Sequence, residues 1–225
     1  MGLLLEEIAD RTNDVLLNES ANDYSTLSQA RRNRLIYNGI IAYSRMRPLV
    51  SVEVMTGTDD PWYELPSDYE VGFSAIQSIE YPVEKSPAQF IDDKWFRVET
   101  MPAGDRLRFS QNNPTTGQAF WVRFTRRHVV ESTTESDIPS ASLDGLSYLC
   151  ASYMASSLAS FYSSKSNPSL PEVEIVGYQT RSAEYSKNAK SFLLLAEKIL
   201  KPADQNCVWG DLDFVQDQWF DRDSR

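Results

Sequence analysis

The chain has 225 residues, and 22 Lys and Arg against 32 Asp and Glu give it a formal net charge of -10 at pH 7. This length allows one large domain or two small ones with a buried core. The acidity argues against a general nucleic-acid-binding surface, which needs clustered Lys and Arg. The only cysteines, Cys150 and Cys207, match neither a disulfide framework nor metal-ligand spacing, so a reducing compartment is expected.

The first residues lack the basic and long apolar segments of a signal peptide, and no stretch approaches the ~20 apolar residues of a membrane span. The sequence therefore predicts a soluble protein made in a cytoplasm, with no membrane partner.

Residues 1–48 are predicted to form a helical hairpin. The first helix ends near Asn18; the second follows Ser25 as a plausible N-cap and runs to about Arg47, where Pro48 stops it. At 100° per residue, the second helix has an apolar side and a separate basic stripe. The apolar side contains Ile36, Gly39, Ile40 and Tyr43, and the stripe contains Arg31, Arg34, Asn38 and Arg45.

Residues 49–138 change to a period of two, which predicts an inserted antiparallel β-sandwich or barrel-like module. Turn chemistry at Met101–Gly104 and at Asn112–Gly117 predicts hairpins between the neighbouring strands. The predicted strands include Val50–Met55, Ala75–Tyr81 and segments around Trp95–Glu99, Arg106–Phe109 and Phe120–Phe124.

Residues 139–201 are predicted to form a second helical hairpin, capped by Ser140 or Ser142 and stopped at Pro202. The predicted buried side of its first helix is Leu143, Leu146, Cys150, Tyr153, Met154, Leu158 and Phe161. That of its second helix is Tyr178, Tyr185, Ala189, Phe192, Ala196 and Ile199. The fold class is therefore α+β, with a four-helix bundle-like domain interrupted by the β module.

Residues 202–225 carry 6 acidic against 2 basic residues. Aromatic residues interrupt this acidity, which predicts an extended arm whose rings are covered by a partner. They are Trp209, Phe214, Trp219 and Phe220.

The sequence contains few residues or motifs that are typical of catalytic sites. His128 is the only histidine, and its position beside two arginines favours a surface placement over catalysis. Phosphate-binding, serine-hydrolase and zinc-protease motifs are absent from the sequence. The segment Asp211–Val215 departs from the calcium-loop pattern. The pairs Asp59–Asp60 and Asp92–Asp93 are typical of turns. We therefore expect no enzyme activity and no cofactor.

Two surfaces offer binding hypotheses. Trp62, Trp95 and Trp121 on the β module could form a carbohydrate-binding face, although tryptophans in a small sandwich are more often packing residues. Arg31, Arg34 and Arg45 could face a phosphate or a partner's carboxylates, including those of a neighbouring subunit, or could be a solvated face.

Several segments in order resemble the head-to-tail adaptor (connector) proteins of tailed bacteriophages. They are Trp62–Tyr69 (WYELPSDY), Ile76–Pro82 (IQSIEYP), Trp121–Thr125 (WVRFT) followed by His128, and Ile138–Pro139 entering a helix rich in small residues. The resemblance spans about residues 3–200.

This resemblance implies a structural virion protein of the neck, assembled in the host cytoplasm. Such proteins form a ring, commonly twelvefold, that docks below the portal protein, joins a downstream neck or tail protein and surrounds passing DNA without reading its sequence. By the same analogy the arm, with Trp209, Phe214, Trp219 and Phe220, would contact the portal. A tail-completion or other neck protein is the alternative within the virion, and a carbohydrate-binding module is the alternative from another class.

Overall fold

The computed structural model describes residues 2–17, 26–102, 104–130, 136–165 and 172–200. Four helices and seven antiparallel strands lie within these ranges, so the predicted α+β class is confirmed. In chain order the elements are α1 (Leu5–Leu17), α2 (Gln29–Met46), β1 (Leu49–Thr56), β2 (Trp62–Tyr63), β3 (Ile76–Glu80), β4 (Phe90–Ile91), β5 (Phe96–Met101), β6 (Gly104–Phe109), β7 (Ala119–Arg126), α3 (Leu143–Lys165) and α4 (Glu172–Leu200).

Helix α3 is the centre of the bundle and packs against α1, α2 and α4. The prediction of one buried side was therefore incomplete, because α3 is buried almost all round, and Leu143, Tyr153 and Phe161 are only partly buried. Alanine and serine side chains let the neighbouring helices approach α3 closely. At the α2 crossing, a Cβ on Gly39 would lie 2.4 Å from Cys150 Sγ.

The start of α2 differs from the sequence prediction. Ser25 lies outside the described residues, and Ser28 is the N-cap, with its hydroxyl accepting a hydrogen bond from the Arg31 amide at 3.4 Å. The predicted buried row of α2 is confirmed in full: Ile36, Gly39, Ile40 and Tyr43.

The strands form two sheets packed face to face. One has the order β1-β7-β3-β4 and the other β2-β6-β5. Aromatic rings meet between them, with Tyr63 edge-to-face on Phe120 at 5.2 Å and Phe109 edge-to-face on Phe120 at 5.8 Å. Of the two predicted architectures, the β module is thus a sandwich with its own core.

One of the two predicted hairpins is wrong. Met101 pairs with Gly104 and closes the β5–β6 hairpin as expected. The Asn112–Gly117 turn, however, does not join paired strands, because β6 belongs to the three-stranded sheet and β7 to the four-stranded one. The chain crosses between the sheets here, so that Phe109 and Phe120 meet across the core rather than along a ladder.

Bundle and sandwich meet where α2 ends. Arg47 and Pro48 lead directly into β1, and the chain after β7 brings His128 to the C-terminal end of α2. The chain then returns to the bundle, where Gly2 forms a β-bridge with Pro139 and the Ser136 amide donates to the Leu3 carbonyl at 3.0 Å. The division of the chain at residues 48, 138 and 201 stays a prediction.

Candidate functional site: three exposed surfaces

The arginine stripe of α2, defined as Arg31, Arg34, Asn38 and Arg45, is exposed. It lies opposite the row that packs on α3, because α2 has an apolar repeat on one side only. In the part of the chain that the structure describes, no carboxylate lies within 4.0 Å of the guanidinium groups of Arg31, Arg34 or Arg45. The stripe is thus a row of positive charge that the described fold does not neutralise.

The second surface is the leucine face of α4, defined as Leu193, Leu194, Leu195 and Ile199. Leu194 is 67% exposed, and Ile199, which the sequence analysis placed on the buried side, is 41% exposed. Leu200 is buried at that end of the helix instead, against Gly145 of α3. Because α4 packs mainly on α3, its last two turns carry apolar side chains to the surface. Sequence reasoning missed this face.

Helices α2 and α4 contact different sides of α3 along most of its length, and their C-terminal ends meet where the Arg47 Nε donates to the Leu200 carbonyl at 2.8 Å. Gly39 of α2 meets Cys150, whereas the Ser182 hydroxyl of α4 donates to the Ala159 carbonyl at 2.9 Å and Phe192 packs near Tyr148. On a helix with 100° per residue, positions 148 and 159 point away from position 150. The arginine stripe and the leucine face are therefore separate surfaces on two different helices.

The third surface is the valine face of the sandwich, defined as Val50, Val52 and Val54. These side chains alternate along β1 and point outward, with Val54 62% exposed. Strand β1 is an edge of its sheet, and among the described residues no strand pairs with its outer edge. Opposite the valines, β7 contributes Trp121 and the exposed Arg123 to the same face. An eight-residue edge with an apolar face is a surface that natural proteins usually cover.

The three tryptophans do not form one platform. Trp62 lies on the outer face of the three-stranded sheet, where the Arg108 guanidinium stacks 5.0 Å from its ring centre. Trp121 lies on the outer face of the other sheet, and Trp95 lies in a 3-10 turn before β5 beside Lys94. A carbohydrate site would have to use these rings separately.

His128 is buried, which contradicts its expected surface placement. Its Nε2 lies 2.9 Å from the Arg47 carbonyl and donates to it, and its amide donates to the Ser44 hydroxyl at 3.1 Å. Its ring packs on Tyr43 at 5.2 Å, and burial lowers the pKa of its imidazole. His128 therefore fastens the strand after β7 to the end of α2.

The remaining titratable groups serve local structure. Asp60 accepts from the Trp62 amide at 3.0 Å and Asp92 caps the turn at Lys94, as expected of turn residues. Burial alone would raise the pKa of Glu99, but ion pairs with Arg108 and Arg97 outweigh this effect and lower that pKa.

Over the described ranges, no three His, Cys, Asp or Glu side chains are grouped to hold a metal ion. No helix in these ranges has the length and apolarity to cross a membrane.

The four candidate portal-contact residues lie outside the described residues, as does the segment that departs from the calcium-loop pattern. They are Trp209, Phe214, Trp219 and Phe220 of the arm, and the acidic segment 211–215.

No protein-family model matches the chain, and no curated protein matches it. A solved structure described as the neck of an empty GTA particle, computed with C6 symmetry, contains a similar chain with a TM-score of 0.28 and 11% identity. The match covers 76% of this chain and 87% of that chain.

Proposed function

We propose that the chain is a structural head-to-tail adaptor of a phage-type particle, a ring subunit that joins the portal vertex to the next neck or tail protein. The proposal combines the resemblance of the WYELPSDY and neighbouring segments with the surfaces described above. It assigns no catalytic residue and no cofactor.

The observation that carries the proposal is a pair of unpartnered apolar surfaces, one on each module. Exposed apolar patches of this kind mark protein interfaces. The leucine face lies on α4 and the valine face lies on β1, so one subunit has separate surfaces for two neighbours. A ring subunit needs this arrangement, since it must contact its own copies and also a different protein.

In this proposal the bundle forms the ring, with the leucine face against the adjacent copy. The sandwich is then available to the downstream protein. DNA passes through the ring without sequence-specific contacts, and Trp209, Phe214, Trp219 and Phe220 of the arm contact the portal. A twelvefold ring is the expected stoichiometry.

The ring contact is tested with a charge placed on the leucine face. Leu194→Glu is expected to abolish assembly without unfolding the chain, because its side chain is already exposed. Ala183→Glu is the matched control, since Ala183 is also exposed on the outward side of α4 but lies three turns before the leucine face. Native mass spectrometry over a range of concentrations, with circular dichroism as a folding check, reads out the oligomers.

Assembly is tested together with the portal from the same particle. Negative-stain images of the mixture are expected to contain stacked rings with wild type and Ala183→Glu, and none with Leu194→Glu. A chain that is monomeric in all conditions and leaves the portal free would refute the adaptor role. Binding to a tail protein with no portal binding would instead indicate the tail-completion alternative.

A further inference from the structure

We propose that the arginine stripe of α2 is a docking site for the acidic arm, residues 202–225, of the same chain. The inference goes beyond the proposed function, because the docking occurs within one chain and needs neither a ring nor a portal.

The described chain ends beside the helix that carries the arginine stripe. The Arg47 Nε donates to the Leu200 carbonyl at 2.8 Å, so the arm starts beside the C-terminal end of α2. From Arg45 to Arg31 the helix rises about 21 Å at ~1.5 Å per residue. The 25 residues after Leu200 span up to about 80 Å when extended. Arg47 lies on the side of α2 that faces α3, so the arm must first pass around the helix, and it is long enough to do so and still follow the whole stripe of its own subunit.

The arginine stripe and the arm carry opposite charges. Arg31, Arg34 and Arg45 are exposed, and the described fold supplies no carboxylate within ion-pair distance of them. The arm carries six aspartates against two arginines. The leucine face is a weaker match, because α4 carries Glu184 and Glu197 among its lysines, whereas α2 contains no acidic residue.

The arginine stripe is also bordered by exposed apolar side chains. Tyr37 and Met46 flank it and are 44% and 42% exposed. An arm in which aspartates and aromatic rings are interspersed matches a row of arginines bordered by apolar side chains, since each kind of group finds its complement. Arginine also stacks on aromatic rings, so tryptophans of the arm gain contacts even beside the charged row.

The cysteines allow a direct test on the isolated full-length chain. Cys150 is fully buried, and burial raises the pKa of its thiol to about 12, so it does not react in the folded protein. A nitroxide probe can therefore be attached to Cys207 in the arm. The expected result is broadening, with loss of intensity, of the backbone amide signals of α2 between Arg31 and Arg47. It should be largest near Arg45 and should fade in ~1 M salt, where the Debye length is about 3 Å.

Charge reversal supplies the controls. The triple variant Arg31→Glu, Arg34→Glu and Arg45→Glu is expected to lose the broadening, whereas Lys187→Glu with Lys190→Glu on α4 should keep it. These residues are all exposed, so folding is preserved in both variants. Docking within one chain predicts no broadening when nitroxide-labelled chains are mixed with unlabelled chains that carry the NMR isotope.

Three results would overturn the inference. They are broadening confined to the valine or leucine face, broadening that survives the triple reversal, and broadening that appears in the mixed sample, which would indicate an arm exchanged between subunits. The first two results do not bear on ring assembly or portal binding, and an exchanged arm would overturn docking within one chain without deciding whether a ring forms, so the proposed function is tested separately.

Discussion

The close crossing of α2 and α3 predicts that Gly39 cannot gain even a methyl group without loss of stability. An ideal Cβ at Gly39 would lie 2.4 Å from Cys150 Sγ and 3.2 Å from Cys150 Cα. The Sγ distance is more than 1 Å inside ordinary van der Waals contact, which begins at about 3.5 Å. Overpacking of this kind costs ~1–3 kcal/mol, and the higher helix propensity of alanine returns ~1 kcal/mol. The net loss expected for Gly39→Ala is therefore up to about 2 kcal/mol.

Gly177→Ala is the matched control, because Gly177 also lies in a helix but a Cβ there would meet nothing within 4 Å. This variant should be more stable than wild type by up to ~1 kcal/mol, from propensity alone. Since propensity acts equally at both sites, the difference between the two variants isolates the packing cost of about 1–3 kcal/mol. In a chain of this length each kcal/mol corresponds to ~2–4 °C in Tm.

A double-mutant cycle identifies the atom responsible. Cys150→Ala removes the sulfur that the new methyl group would strike, so it should cost less in the Gly39→Ala background than in wild type, with a coupling of ~1 kcal/mol or more. Urea unfolding followed by far-UV circular dichroism measures all four proteins. Additive effects, or a Gly39→Ala variant as stable as Gly177→Ala, would refute the close-crossing explanation.

Three further predictions test the core, the buried imidazole and the buried thiol. Phe120→Ala should lower the free energy of unfolding by ~3–5 kcal/mol because it empties the centre of the sandwich, whereas Val54→Ala on the exposed face should change it by less than ~0.5 kcal/mol; urea unfolding distinguishes the two. The pKa of His128 is lowered by burial, so its contribution to stability is complete above its unfolded pKa of ~6.5 and is lost as the pH falls below that value. Because it is the only histidine, the loss of Tm between pH 7.5 and 5.5 should be smaller in His128→Gln, and an unchanged slope would contradict the assignment. Peptide mapping after alkylation at pH 8 should find Cys150 unmodified in the native protein and modified in urea; a native adduct would disprove its burial.

The buried side of α2 could be predicted because this helix has one clear apolar row. The row of α2 was correct at all four positions, and the opposite basic stripe is exposed, while its ligand or partner stays a prediction. The end of α4 was not predictable in this way. The five consecutive apolar residues 192–196 cover every side of the helix, and Ile199 and Leu200 are adjacent apolar residues, so periodicity alone cannot choose between these two. That all-round apolarity was itself the signal of the leucine face.

The β module shows a second limit of periodicity. A period of two finds a strand at residues 49–56 but favours burial of its valines, whereas the structure turns Val50, Val52 and Val54 outward and places Glu53 on the inner side. Glu53 is held there by hydrogen bonds from the Ser67 amide and hydroxyl, at 2.8 and 2.9 Å. The sheet assignment of β7 is likewise set by contacts between distant residues, which local patterns do not contain. His128 was misplaced for the same reason, since its partners at Ser44 and Arg47 lie more than 80 residues earlier.

The central position of α3 has a consequence for the order in which the protein forms during synthesis. Helices α1 and α2 make few contacts with each other, and most of their buried surface is against α3. Almost a hundred residues separate the end of α2 from the start of α3. At ~5–20 residues per second, the ribosome takes about 5–20 s to make that stretch. The sandwich has its own core and can fold in this interval. Helices α1 and α2 stay without their main packing partner until α3 has been made.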